Sequence, residues 1–407
     1  MKQRLLAVIG AALLGGLGCR DDAQSPSELP PAAPEAALVT TATPLAFLQL
    51  SAGSFYTCGV AGDHRAYCWG DNANGQLGIG TLWEPEFCHE TSTCSRFPIA
   101  VVGGLTFRQV ASGDGHHACG ITTDSVAYCW GPGNWGQLGD GTLDDHYAPT
   151  RVATPLRFRQ VSVGIDHSCA VTTGNRAYCW GQGNLVGDGS TASTPRKRPV
   201  AVAGGLSFKQ VSADGNHTCG LTTSNRVYCW GGNGHGQLGD GSGVGAQAKP
   251  VRVHTGLRFR QLDTGFDYTC AVTVDYRAFC WGVNDNGQLG DGTKTTRLSP
   301  RAVAGGVSFE RVTAGFNFTC GETTTNHAYC WGYNFSGQLG DGTRTLRLKP
   351  TPVAGGLFFR QLSAGGVHTC GRASTDLAYC WGLNSEGELG DGTRTDRLRP
   401  TAVAGPQ

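Results

Sequence analysis

Cysteine is the residue type in this chain whose spacing most plainly could do chemistry. Fourteen of the 17 cysteines fall into seven pairs with one separation: Cys58 and Cys68, Cys119 and Cys129, Cys169 and Cys179, Cys219 and Cys229, Cys270 and Cys280, Cys320 and Cys330, Cys370 and Cys380. An eighth pair, Cys88 and Cys94, lies closer together, and Cys19 is left over. Paired thiols can hold zinc or join as disulfides. Zinc sites usually place about two to four residues between successive cysteine ligands, whereas nine intervene here, so the disulfide is the expected chemistry. Thiols in such number also point to an oxidising compartment.

The elements that must position these sulfurs repeat with them. Cys-Trp-Gly recurs with its Trp at 69, 130, 180, 230, 281, 331 and 381, spaced 50 or 51 residues apart except for a first interval of 61. In the fourth copy, Phe208-Lys209-Gln210-Val211-Ser212 alternates apolar and polar residues as a half-buried strand does. Thr218 to Thr222 is a second short run, Thr223-Ser224-Asn225 supplies turn residues, and Arg226 to Trp230 returns as a third strand. Closing the hairpin on that turn sets Leu221 opposite Val227, Gly220 opposite Tyr228 and Cys219 opposite Cys229. Opposed residues on antiparallel strands lie close enough for a disulfide. Gly236 to Ser242 is a compact glycine-rich turn, and Pro250 to Val253 leads into the next unit. No helical period is sustained in the body of the chain. Units of this length with three or four strands suit a radial β-propeller better than a solenoid. The expected fold is all-β, a seven-bladed β-propeller over 45–407 with one intra-blade disulfide per repeat. The C-terminal Pro400 to Val403 segment is expected to pair near Phe47 to Ser51 and so close the ring.

Composition and the N-terminus narrow the setting. Net charge is +1, from 32 basic and 31 acidic residues, which excludes the basic footprint that nucleic-acid binding needs. Lys2 and Arg4 precede an apolar run from Leu5 to Leu17, too short to span a bilayer, which reads as a signal peptide over 1–18. Cys19 follows Gly16-Leu17-Gly18 in the manner of a lipidation site, and removing it leaves an even number of thiols. Residues 19–44 are rich in Pro and Ala and read as a tether. The expected location is the bacterial cell envelope, lipid-anchored, or secretion; the membrane is met only through the lipid.

Trp281-Gly282-Val283-Asn284, followed by Gly287-Gln288-Leu289-Gly290-Asp291-Gly292-Thr293, resembles the repeat of the regulator of chromosome condensation family. The pattern covers nearly all of 47–405. The resemblance implies a seven-bladed propeller but not one function, since that fold serves a nuclear exchange factor, ubiquitin-ligase accessory domains, a plant UV-B receptor and a secreted β-lactamase inhibitor.

Several residues invite functional readings. His117, His167, His217 and His368 share a slot that Tyr56, Tyr268 and Phe318 also fill, so a flat ring for packing is expected rather than a metal ligand. The seven tryptophans are expected to fill the wedge between blades. Asp140, Asp188, Asp240, Asp291, Asp341 and Asp391 sit in Asp-Gly-Thr/Ser turns and are expected to cap them rather than hold calcium. No nucleophile elbow, zinc-protease or phosphate-loop motif occurs, so no catalytic residue, cofactor or metal is assigned. Two features break the symmetry. The insertion 82–95 in the first repeat carries Cys88 and Cys94 and presents Trp83 and Phe87 as aromatic anchors. The loops after the Asp-Gly-Thr/Ser turns are basic in the third and the fifth to seventh repeats, with Arg297, Arg347 and Arg397 as candidate binding residues. The expected function is that of a monomeric, non-enzymatic extracytoplasmic scaffold for a protein or an anionic envelope polymer. The alternatives are a secreted enzyme inhibitor and, less in keeping with export, guanine-nucleotide exchange.

Overall fold

The computed structural model describes residues 43–82, 86–88 and 93–406. Cys19, the segments read as signal peptide and tether, and Trp83 lie outside these. Four-stranded antiparallel sheets follow one another as blades 1 to 7, at 47–100, 107–151, 158–201, 208–252, 259–302, 309–352 and 359–402. In blades 2 to 7 strand order in space equals strand order in sequence; in blade 1 a two-residue strand (Glu86–Phe87) adds a fifth, lying outside Thr93–Ala100 although it precedes it in sequence.

The hairpin register matches the expectation. Cys219 faces Cys229, Gly220 faces Tyr228 and Leu221 faces Val227. The turn succeeds because Asn225 takes a φ of +63°, a left-handed conformation that asparagine tolerates better than most residues. The other six hairpins repeat the register, each setting a cysteine of the second strand against one of the third: Cys58 against Cys68, Cys119 against Cys129, Cys169 against Cys179, Cys270 against Cys280, Cys320 against Cys330 and Cys370 against Cys380. The fourth strand of blade 4 is Gln247–Arg252, longer than the Pro250 to Val253 lead-in suggested.

The core lies between blades. Phe208, Val211 and Trp230 of blade 4 pack on Val171, Ala177 and Val202 of blade 3. All seven repeated tryptophans are 0% exposed. Two glycines show how tightly the parts meet. A Cβ on Gly220 would lie 2.4 Å from the Phe208 ring, and one on Gly290, whose φ is +67°, would lie 2.5 Å from Trp331 of the next blade. The glycine-rich turn thus clasps the following tryptophan.

Ring closure departs from expectation. Arg397–Ala402 pairs with the third strand of its own blade, not with the N-terminal strand, while Phe47–Ala52 is the innermost strand of blade 1. Each blade is complete from contiguous chain, so no strand remains to be shared. Side-chain bonds between blades 7 and 1 close the ring instead, together with a single bridge of Ala46 to Leu377 and the backbone bonds of Phe47 N–H to Asp376 and Gly366 N–H to Gly53.

Candidate functional site

The seven innermost strands surround a central channel with a cavity of about 360 Å³. Each reads Phe-x-Gln-apolar in sequence, with one exception, and the glutamine is the connecting device. Gln160 Nε2 donates to the Val211 carbonyl at 2.6 Å, and its Oε1 accepts the Val211 N–H at 2.9 Å. Gln49, Gln109, Gln210, Gln261 and Gln361 do the same to Val110, Val161, Leu262, Val312 and Leu50. One primary amide therefore stands in for a pair of sheet hydrogen bonds at each seam. In blade 6 Arg311 replaces the glutamine, and Glu322, opposite it in register, accepts the Leu362 N–H. Burial pushes the Glu322 carboxyl up to about 7. A second tier repeats the arrangement with hydroxyls and one carboxylate: Ser51, Ser162, Ser212, Asp263, Thr313 and Ser363 each accept a backbone N–H from the next blade. Ala111 holds that position in blade 2 and accepts nothing.

The channel has two unlike mouths. Where the innermost strands end, Ser54 Oγ donates to Asp114 at 3.0 Å, and Asp114 and Asp214 lie within hydrogen-bonding reach of each other. Burial raises both carboxyls, and for Asp214 the neighbouring Asp114 raises it further. Where the strands begin, the register slips between residues such as Phe158 and Gln160, leaving the second residue of each strand on a β-bulge. Those bulge residues are Leu48, Arg108, Arg159, Lys209, Arg260, Glu310 and Arg360. A bulge turns its side chain out of the sheet's alternation, so five of these seven sites ring this mouth with cations. Sequence patterning did not single them out, because a bulge residue looks like an ordinary outward-facing polar position; the recurring Arg/Lys before Gln was the available signal.

The histidines and tryptophans act together at the seams. His117 Nε2 lies 2.8 Å from Ser168 Oγ of the next blade, and that hydroxyl donates to the Gln137 carbonyl at 2.9 Å. Since the hydroxyl spends its proton on Gln137, the imidazole donates from Nε2. Trp180 donates to the same carbonyl at 2.8 Å. His167, His217 and His368 bond Thr218, Thr269 and Thr57 likewise. Burial lowers these imidazoles to about 3 for His117, His217 and His368 and about 4 for His167, which keeps them neutral. Tyr56 fills the slot by donating to the His117 carbonyl at 2.6 Å. The position wants a ring that reaches the next blade, as its occupancy by three ring types suggested.

All eight expected cysteine pairs are joined. Within the blades the bonds run Cys58 to Cys68, Cys119 to Cys129, Cys169 to Cys179, Cys219 to Cys229, Cys270 to Cys280, Cys320 to Cys330 and Cys370 to Cys380, with Cα atoms 4.0–4.1 Å apart. The eighth joins Cys88 to Cys94. In the seven hairpins the third-strand partners Cys68, Cys129, Cys179, Cys229, Cys280, Cys330 and Cys380 are as fully buried as the second-strand ones. These sulfurs are therefore structural: they hold hairpins inside the core and are open neither to a ligand nor to a metal. Glu86 stands beside Cys88 and Cys94, whose sulfurs are engaged with each other.

The aspartates cap their turns: Asp291 accepts from the Thr293 N–H and hydroxyl. The same carboxylates bind the arginines nominated for recognition. Arg297, Arg347 and Arg397 lie 2.7–2.8 Å from Asp291, Asp341 and Asp391, which neutralises the charge proposed for the rim. Burial works to raise these aspartates, but the threonine and arginine bonds outweigh it and hold them below the usual carboxylate range. Of the insertion, the Phe87 backbone pairs with Thr93, and Glu86 bonds Arg96 at 2.9 Å. Ser95 already belongs to the outer strand, opposite Gly70, so the added loop ends before the expected boundary.

Comparison with known proteins adds the following. Residues 63–119, 124–171, 224–272, 276–321 and 326–371 match the regulator of chromosome condensation (RCC1) repeat, and 47–76, 158–187, 208–237, 309–338 and 359–388 match a second form of it. The ultraviolet-B receptor UVR8 of Arabidopsis thaliana is 30% identical over 261 residues, 63% of this chain and 57% of its own length. The probable E3 ubiquitin-protein ligase HERC3 of Homo sapiens is 33% identical over 105 residues, 26% of this chain and 9% of its own. Each match thus spans less than two thirds of the relative. Among solved structures, Prp20p from Saccharomyces cerevisiae superposes with a TM-score of 0.73 at 21% identity, covering 83% of this chain and 85% of that one. Human WBSCR16 gives 0.70 at 20% identity, covering 80% and 86%. These two likenesses are of fold.

Proposed function

The chain belongs to the regulator of chromosome condensation (RCC1) repeat family, and from that premise we propose that it is a non-enzymatic scaffold which works outside the cytoplasm and binds a protein. The observation that carries the reading is the disulfide in every blade, with both sulfur-bearing residues of all seven hairpin pairs at 0% exposure. Staples built into the core of every repeat are the mark of a chain that folds where thiols are oxidised. The apolar run at 5–17 and Cys19 agree with export to the envelope and lipid anchoring. Protein recognition has a precedent in one solved relative, yeast Prp20, which is seen bound to Kap60 in one structure and described by its binding to Gsp1p and histones in another. The imidazoles and tryptophans are spent on holding blades together, and the turn aspartates on capping their own turns and pairing with arginines of the same blade. The insertion, with Trp83 and Phe87, remains a candidate recognition finger.

The test is made on protein isolated from its native envelope. Alkylation before and after reduction, read by mass spectrometry, should find the paired cysteines oxidised and the leader removed. Free thiols with the leader retained would overturn the location. Crosslinked partners should be lost when 83–92 is replaced by a Gly-Ser linker with Cys94→Ser, if the finger makes the contact.

A further inference from the structure

The cationic mouth is divided in a way that specifies an occupant. Arg108, Arg159 and Lys209 stand on the bulges of blades 2, 3 and 4, and none has a carboxylate partner among the described residues. Arg108 donates to the Phe158 carbonyl, its Nε buried and without a partner. Arg159 donates to Asn175 and the Phe208 carbonyl at 3.1 and 3.0 Å, and Lys209 to Asn225 at 2.6 Å. Burial chiefly, and then the like charge of Arg108 on Arg159 and of Arg260 on Lys209, lowers their affinity for protons. Beside them the same end of these blades offers Arg176, Arg226 and Arg258, while the turns 173–176 and 223–226 and the loop 253–258 hold no acid; the matching turn of blade 2 carries one, Asp124, which feels Arg151 and Arg157.

The other half of this mouth differs. Arg260 pairs with Glu310 at 2.6 Å and lies 4.5 Å over the exposed Tyr276 ring, and Arg360 pairs with Asp376 at 3.1 Å. On this side Leu48 is 42% exposed and Phe358 is 47% exposed. Blades 2 to 4 thus present cations in excess, Asp124 being the acid of their turns, and blades 5 to 7 with blade 1 present the ion-paired Arg260 and Arg360 together with apolar surface.

We propose that this mouth of the channel docks an acidic protein segment that also carries apolar side chains, carboxylates over Arg108, Arg159 and Lys209 and apolar groups over Leu48 and Phe358. A uniformly charged polymer would answer the first half and leave the second half idle, which is why a peptide is favoured. The inference rests on the protein-binding reading above and names the surface for it.

The probe is a fluorescein-labelled synthetic peptide of two Glu-Glu-Phe-Glu-Glu-Leu units, read by anisotropy on the oxidised protein. Its analogue with glutamine for glutamate, and polygalacturonate as competitor, are the comparisons. The acidic peptide should bind, more weakly as salt rises, and the glutamine analogue should not. Arg159→Glu with Lys209→Glu should weaken it at least about tenfold, since each 1.4 kcal/mol is a factor of ten and setting like charges against each other costs more than that. Arg159→Gln with Lys209→Gln should give a smaller loss and serves if the reversal disturbs folding. Leu48→Ser with Phe358→Ser should weaken the peptide and leave polygalacturonate unaffected. Lys294→Glu with Arg394→Glu, at the opposite end, should change nothing. Unchanged binding in the Arg159/Lys209 variants overturns the proposal. So does a peptide indifferent to Leu48 and Phe358 and displaced by polygalacturonate, which would assign the site to a polymer. If the Arg159/Lys209 variant recovers every partner of the native protein from the envelope, this surface is wrong while the scaffold reading stands. Reduced native thiols would remove the proposed location without touching the anisotropy result.

Discussion

Glu388→Gln tests how the seventh blade meets the first. Five of the six other glycine-rich turns place glutamine at this point, the blade 3 turn having Leu185: Gln76, Gln137, Gln237, Gln288 and Gln338 each accept the N–H of the residue two before. Glu388 makes the same bond to the Glu386 N–H at 2.9 Å, but its second oxygen is buried without a partner. Burial, with Glu386 and Asp396 adding negative charge, pushes its carboxyl from 4.5 to about 8. For an acid raised on folding, the stability is full below the unfolded pKa and drains away as pH climbs through the folded one. Glu388 therefore costs nothing near pH 4.5 and, at 1.36 kcal/mol per unit, on the order of 3 kcal/mol at pH 7. Glutamine keeps the Glu386 bond and carries no proton to lose. Urea unfolding of wild type and Glu388→Gln at pH 5, 6, 7 and 8 should show a gap that opens with pH in favour of the variant. The four buried histidines pull the other way below pH 6.5, where the unfolded chain gains protons they refuse, but they do so in both proteins and drop out of the difference. A gap that is constant across this range, or a variant less stable at pH 8, would refute the reasoning.

Three further outcomes can be checked by the same unfolding measurement. Trp281→Phe removes an indole N–H that donates to Gln237 at 3.0 Å, whereas the Trp230 N–H has no partner; Trp281→Phe should therefore cost about 1–3 kcal/mol more than Trp230→Phe. Arg311→Gln with Glu322→Val restores at blade 6 the amide bridge of the other seams and removes a carboxyl raised to about 7; the double variant should be as stable as wild type near pH 4.5 and more stable at pH 8. Cys219→Ala with Cys229→Ala opens a loop of sequence separation 10 and should lose roughly 2–3 kcal/mol by the chain-entropy relation; no loss in oxidising buffer would mean the hairpin is held by its neighbours alone.

The local half of this structure was legible in the sequence. Cys219 and Cys229 could be set opposite each other because a turn of Thr-Ser-Asn fixes the hairpin register, and register decides every pair downstream of it. The shared slot of His217 and Tyr268 was correctly read as a need for a flat ring. What could not be read was anything whose partner lies one repeat away. Gln210 looks like any polar residue of a half-buried strand; that its amide spans to Leu262 is a fact of how blades sit side by side. Arg297 looked available for a partner because Asp291, six residues earlier, looked fully used by its own turn, and the carboxylate has two oxygens. Arg159 escaped notice because the bulge that places it at the start of the strand, against Asn175 and Phe208, leaves no mark in the alternation.

The insertion in blade 1 bears on why the ring closes without a shared strand. The seam between blades 7 and 1 uses the kinds of bond that recur at the other seams: Gln361 to Leu50, Ser363 to Ala52, His368 to Thr57 and Trp69 to the Glu388 carbonyl. Its partners, however, stand 311 residues apart rather than about 50. By the logarithmic law of loop closure this raises the entropic cost by about 1.6 kcal/mol. At neutral pH the buried Glu388 adds its own penalty at the same place. The insertion meets that seam. Arg96 donates to the Gly392 carbonyl at 3.4 Å, and the Cys88 sulfur lies 3.8 Å from the Glu386 carbonyl. Arg96 is in turn held by Glu86 of the added strand. A loop stapled by its own disulfide therefore braces the turn that carries the one glutamate among the glutamines. Loss of binding on removing 83–92 would then speak for a recognition finger only if the variant's unfolding midpoint is unchanged. A fall in stability that Glu388→Gln restores would assign the loop to closing the ring.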